Sequence, residues 1–305
     1  MFTRVTHSHR SVHRIHPLSA GLALPLALLF ATPGVLAGDD EQDKAPLPVP
    51  QVAPCSQRYS LAADVEPPQV EDGKRAVRQA FGTNDDWGTE KNIEVLDASQ
   101  TGIGERGFRV SYPKGTSAPS DTETGGAGFY ATLPALSNAE RACLQYKVRF
   151  PEDFDFVKGG KLPGLYGGQA PSGGDEVTGD GFSMRFMWRK NGQGELYEYV
   201  VNKDEDNDYG KSVGRGLWRF PTGEWVTLEQ EVILNDPDSD NGIARVWVDG
   251  EPILEQRGIV YRRQSDVYAD GLMFSTFFGG NGKGWRTPRD QHADFADFRV
   301  YADRG

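Results

Sequence analysis

Residues 182–199 read FSMRFMWRKNGQGELYEY. Phe182, Met184, Phe186 and Trp188 occupy alternate positions, set against Ser183, Arg185, Met187 and Arg189. That period of two places one side of a strand in a core and the other outside it. Asn191-Gly192 follows, a pair suited to a two-residue hairpin turn, so a second strand is expected to return from near Glu195. The same alternation recurs along the chain. It runs through Phe108, Val110 and Tyr112, from Ala142 to Phe150, and through Val226, Leu228, Val232 and Leu234. Arg245 to Gly250 reads as a strand entering a tight turn, and residues 272–278 and 295–301 complete the set. With 37 Gly and 19 Pro in 305 residues and 11% aromatic content, a long-helix or coiled-coil protein is excluded. The expected fold is all-β: a jelly-roll sandwich of two antiparallel sheets with a concave substrate groove on one of them. The clearest helix candidate is short, over residues 71–81.

The N-terminus reads as an address rather than as fold. Arg4, Arg10 and Arg14 precede an apolar run over residues 18–36, which ends in Val35-Leu36-Ala37. This pattern predicts a signal peptide over residues 1–37, and Pro25, Pro33, Gly21 and Gly34 argue against a membrane-spanning helix. A flexible acidic and Pro-rich leader is expected over 38–54, then one domain over 55–305. Destination is secreted or periplasmic. Cleavage leaves 30 basic against 44 acidic residues, a net charge of -14, which excludes a general nucleic-acid binder. It also leaves one histidine, His292, so a multi-histidine metal site and a Ser-His-Asp triad are both disfavoured. Cys55 and Cys143, the only thiols, are expected to form one disulfide that ties the N-terminal segment to the body.

Chemistry concentrates on the outward side of the 182–199 hairpin. Ser183 and Arg185 share a strand face at ~6.8 Å spacing. Tyr197 and Tyr199 share a face on the return strand. Upstream, Lys161 sits in GGKLPGLYGG (159–168), framed by glycines and a proline that let backbone approach a ligand. From these residues alone the cluster reads either as a site or as ordinary strand surface.

The runs GGKLPGLYGG, FSMRFMWRKNGQGELYEY, WVTLEQEVILN, RVWVDG and FSTFFGGNGKGW, in that order, resemble the polysaccharide lyases of family 14, the alginate lyase type, and the related glucuronan lyases. The resemblance implies a β-jelly roll and β-elimination on a uronic-acid polysaccharide, with Lys161, Ser183, Arg185, Tyr197 and Tyr199 as functional positions. Elimination needs a carboxylate neutralised, the C5 proton removed and the leaving O4 protonated. Arg185 stays charged and suits the carboxylate. Lys161 is expected to act as base or to neutralise charge, Tyr199 to donate the proton, and Tyr197 and Ser183 to position. Arg189, Lys283 and Trp285 are expected to contact substrate, the last two from a groove-wall loop over 279–285. The expected partner is an anionic polysaccharide, with no nucleic acid, no membrane once the signal is removed, and a monomeric chain.

Two rivals use the same sandwich. A non-catalytic sugar-binding module would need the tyrosines and cations but no titrating lysine. A glycoside hydrolase would need paired carboxylates, for which Glu229 and Glu231 are candidates, although solvated acids on an outer sheet explain them equally. For metal, Asp236, Asp238 and Asp240 and, separately, Asp204, Asp206 and Asp208 alternate suggestively. Counting from Asp236, however, positions six and twelve are Asn241 and Trp247, not the Gly and Glu of a calcium loop. Both stretches read as turns; no cofactor is required, and a structural calcium is given no ligands.

Overall fold

The computed structural model describes residues 47–122, 124–203 and 209–303. The expected signal peptide, residues 38–46 of the leader, and Asp204, Asp206 and Asp208 lie outside the described residues. In chain order the strands are β1 (Ser60–Val65), β2 (Asp86–Trp87), β3 (Ile93–Leu96), β4 (Gly107–Tyr112), β5 (Ala127–Thr132), β6 (Arg141–Arg149), β7 (Gly159–Gly168) and β8 (Gly181–Arg189). Then come β9 (Gly194–Tyr199), β10 (Lys211–Val213), β11 (Trp225–Ile233), β12 (Gly242–Val248), β13 (Glu251–Ile259), β14 (Gly271–Phe278) and β15 (Gln291–Asp303). They form two antiparallel sheets, as expected. One runs β13-β12-β11-β6-β15-β4-β3, with β1 also on β15; the other runs β10-β9-β8-β7-β14-β5-β2.

The alternation read at 182–199 is realised. Phe182, Met184, Phe186 and Trp188 are fully buried between the sheets. Asn191 and Gly192 take φ of 58° and 72° at the turn, which brings Arg185 opposite Tyr197 and Ser183 opposite Tyr199. The facing sheet contributes Leu144, Tyr146, Val148, Leu228 and Phe295, all buried. Gln230, polar at an inward position, accepts from the Leu165 N–H (2.9 Å) and donates to the Met184 carbonyl (2.9 Å), which satisfies it inside the core.

β7 departs from simple alternation. Leu162 and Leu165, three residues apart, are both in the core, because the register against β8 shifts between Leu162 and Gly164. Pro163, which has no N–H to give the ladder, occupies that bulge. The bulge keeps Lys161 on the outer face while resetting the pleat beyond it. The glycines therefore serve packing rather than ligand approach: a Cβ on Gly160 would fall 2.0 Å from the Trp188 ring, and one on Gly164 1.9 Å from the Met184 carbonyl oxygen.

The expected short helix is present as α2 (Gly73–Phe81), capped by Asp72 accepting from the Arg75 N–H and ended by Gly82 at φ 67°. A shorter helix, α1 (Cys55–Arg58), lies on the outside of the other sheet. The Cys55–Cys143 disulfide fastens it to β6, with Trp247 packed against the pair. Ahead of it, Leu47 packs on the core and the Pro48 carbonyl accepts from the Glu255 N–H at 2.6 Å. Glu229 and Glu231 lie beneath α1 and are buried, not solvated. Glu229 accepts from Ser56 N–H (3.0 Å) and Oγ (2.7 Å), and Glu231 pairs with Arg58 (2.6 Å) and Arg245 (2.8 Å). Cys55, Cys143 and Glu229 are the grouping of potential metal ligands among the described residues, but both sulfurs are spent in the disulfide. The Asp236 stretch is a hairpin turn, in which the Asp236 N–H and carboxylate both bond the Asn241 amide.

The disulfide closes a loop of 88 residues. Cys55→Ser with Cys143→Ser should cost about 2–4 kcal/mol of stability, largely by freeing the unfolded chain. Denaturant melts of the two proteins check this, and coincident midpoints would refute it.

Candidate active site

The outer face of the β10-to-β2 sheet carries a groove of about 990 Å³. The period of two delivers its floor: the positions between the core residues of β7, β8 and β9 point into it. Lys161 pairs in register with Met187 and Met187 with Glu195, while Arg185 pairs with Tyr197 and Tyr197 with Ser212. Four strands thus set a block of cations and phenols side by side.

Lys161 Nζ lies 3.9 Å from the centroid of the Tyr197 ring and 3.1 Å from Met187 Sδ. No carboxylate is within ion-pair distance of it among the described residues. Burial, then the charges of Arg185 and Arg189, hold its pKa well below the usual lysine range, and Glu195 offsets this only in part. Arg185 is almost fully buried, with its Cζ 6.0 Å from the Tyr197 centroid and 5.9 Å from that of Tyr199. Its NH1 donates to Ser275 Oγ at 3.3 Å, and its Nε has no partner.

The two phenols are T-stacked at 5.8 Å. Each phenol oxygen accepts a backbone N–H: Tyr199 from Gly174 (3.2 Å) and Tyr197 from Gly210 (3.1 Å). Burial, then Tyr199 by its electrostatics and a hydrogen bond, pushes the Tyr197 phenol above its ordinary range, so it stays protonated at neutral pH. Ser183 is wholly buried, and its hydroxyl donates to the Pro171 carbonyl (2.6 Å), fastening the loop that presents Gly174.

Arg189 lines the groove with its Cζ 6.0 Å from the Tyr197 centroid. Trp285 lines it too, with Lys158 Nζ 5.6 Å from its ring. Lys283, on the same loop, is exposed and does not line the groove; Lys190, at the hairpin tip, is likewise outside it. His292 lies on β15 in the opposite sheet, beside Ser111 and Asp290. Sequence reading missed Arg215, Ser275 and Trp87 as groove residues, and Glu195 as the buried acid that holds Arg189 and Arg215. For Glu195 a signal existed: it shares the outward parity of Tyr197 and Tyr199.

A buried cation with an open donor, a lysine poised to lose its proton and two hydrogen-bonded phenols can together bind a carboxylate and move protons. Comparison with known proteins meets that chemistry. The model of the family described as polysaccharide lyase 14 matches residues 100–298. Among solved structures, a marine PL-14 alginate lyase from Aplysia kurodai is 30% identical with a TM-score of 0.71, covering 80% of this chain and 100% of its own. An alginate lyase from Chlorella virus (21% identical, TM-score 0.63, 80% and 100% coverage) shares the fold. So does an endo-β-1,4-glucuronan lyase from the fungus Trichoderma reesei (13%, 0.52, 80% and 96%). No curated protein matches the chain. With the family match spanning the groove strands from β5 to β14, the chain belongs to the polysaccharide lyase 14 family and is a polysaccharide lyase.

Proposed function

We propose that this lyase cleaves a uronic-acid polysaccharide, of the alginate or glucuronan type, by β-elimination. The observation that carries the reading is Arg185: a guanidinium sunk in the groove floor, with one hydrogen bond and an unpartnered Nε. A buried cation so sparsely bonded is costly unless a ligand anion completes it. A uronate carboxylate fits that need, and its charge grows as C5 loses a proton, which is when stabilisation accelerates the step.

In this reading neutral Lys161 takes the C5 proton. The electron pair forms the C4–C5 double bond by way of an enolate-like carboxylate held on Arg185, and the C4–O bond breaks. Tyr199 then gives its proton to the departing oxygen. What favours Tyr199 over Tyr197 as donor is that burial, and then Tyr199 itself, holds the Tyr197 phenol above its ordinary range and so resists loss of the Tyr197 proton. Tyr197 and Ser183 position Tyr199. The charge is offset by Arg185, so no metal or other cofactor enters. The disulfide fits an oxidising compartment, which supports secreted or periplasmic work; among the described residues no helix is long and apolar enough to cross a membrane.

The test is a panel of alginate, glucuronan and neutral glucans, followed by the ultraviolet absorbance of the unsaturated uronate. Absorbance should rise on at least one uronate polymer and on no neutral one. New reducing ends without absorbance would favour hydrolysis. Binding without either would favour a sugar-binding module.

A further inference from the structure

Charge is distributed unevenly along the groove. Among the described residues its four lining cations, Lys161, Arg185, Arg189 and Arg215, lie from β7 toward the β10 edge. The other half, over β14, β5 and β2, presents Trp87, Tyr130, Met273, Phe277 and Trp285, and no charged side chain lines it among the described residues.

The cationic end is built around a buried acid that the elimination does not use. Glu195, on β9, is fully buried. Its Oε1 accepts from Arg189 Nε (2.8 Å) and Ser212 Oγ (3.0 Å), and its Oε2 from Arg215 Nε (2.6 Å). Arg215 also donates to Ser212 Oγ at 3.0 Å. Two guanidiniums on one carboxylate leave one net positive charge (+2 − 1 = +1). The Arg215 side chain is 49% exposed, so part of its five-donor fork faces the groove. Glu195 thereby fixes the direction of both forks, and a pre-aimed fork suits bidentate carboxylate recognition.

We propose that Arg189 and Arg215 form a second carboxylate subsite, which takes the uronate lying next toward β10 from the reacting one. The aromatic half receives a sugar ring by stacking and does not read its charge. The substrate must then be acidic on one side of the cleaved bond and is free to be neutral on the other. This inference rests on the uronate reading above.

The experiment uses a cleaved uronate polymer in which a fraction of carboxyl groups has been reduced to neutral hydroxymethyls. Wild-type products, sequenced by mass spectrometry, should exclude neutral residues at the position beside the unsaturated end, the end itself being a uronate by the chemistry of elimination, and accept them at the new reducing end. Arg215→Gln should relax that exclusion. It should also raise KM for the unreduced polymer on the order of tenfold with kcat within about twofold, the pattern of lost binding that is equal in ground and transition states. Arg215→Lys, with the charge but not the fork, should fall between. Should Arg215→Gln fail to fold, the wild-type product distribution decides alone. Tolerance of neutral residues beside the unsaturated end, or an Arg215→Gln protein with unchanged KM and exclusion, overturns the subsite. Failure of wild type to cut any uronate polymer would instead sink the parent reading, and this one with it.

Discussion

Lys161→Ala should fold normally and lose at least ~100-fold in kcat/KM, the lower range for a proton-transfer group. The lysine makes no ion pair among the described residues, its nearest polar contact being a thioether, so truncation leaves no charge orphaned. Its depressed pKa, set by burial and then by Arg185 and Arg189, gives the rate a direction with pH. The neutral amine is the base, so kcat/KM of the wild type should climb as pH rises through that depressed value. Stability follows the same sign. The native state resists the proton that the unfolded lysine still binds, so folding stability gains with pH between the lowered pKa and the ordinary one. Lys161→Met removes that penalty and should melt above wild type at lower pH, the gap closing toward alkaline pH. Near-normal turnover in Lys161→Ala would reject the base assignment. A melting gap that does not change with pH would reject the depressed pKa.

Tyr199→Phe should lose on the order of 10²–10³-fold in kcat while still binding polymer, because only the proton to the leaving oxygen is removed. The ring, its T-stack on Tyr197 and its place under Arg185 all remain. Polymer affinity measured by calorimetry should hold near the wild-type value. Tyr197→Phe should be the milder variant. Full activity in Tyr199→Phe beside an inactive Tyr197→Phe would move the donor to Tyr197.

Much of the strand framework is legible because burial on a pleated sheet repeats every second residue. Phe182 to Trp188 declares its inner face, and Asn191-Gly192 declares its turn, from local chemistry alone. β7 was less legible. A glycine-rich run with an internal proline looks like a loop, and only the facing Trp188 ring shows why glycine is required at 160. Glu229 and Glu231 misled for a related reason. Their parity points out of the sandwich, but α1, pinned by the disulfide, covers that outer face and turns two solvated acids into buried ion-pair anchors.

Ser183 with Arg185, and Tyr197 with Tyr199, were visible as same-face pairs, since each pair lies within one strand, where sequence neighbours are neighbours in space; joining them to Lys161 took the family resemblance. Arg215, Ser275 and Trp87 carry no such mark. They reach the groove from the loop after β10, from β14 and from β2, and only the strand order β10-β9-β8-β7-β14-β5-β2 makes them neighbours. Composition, parity and turn chemistry act along the chain and are therefore written in it. Which outward face is left open, and which cations stay without an acid, depends on contacts between residues far apart in sequence. The same rule of alternation made one sheet's outer face a covered ionic layer and the other's a substrate groove, and folding the N-terminal segment onto the first made the difference.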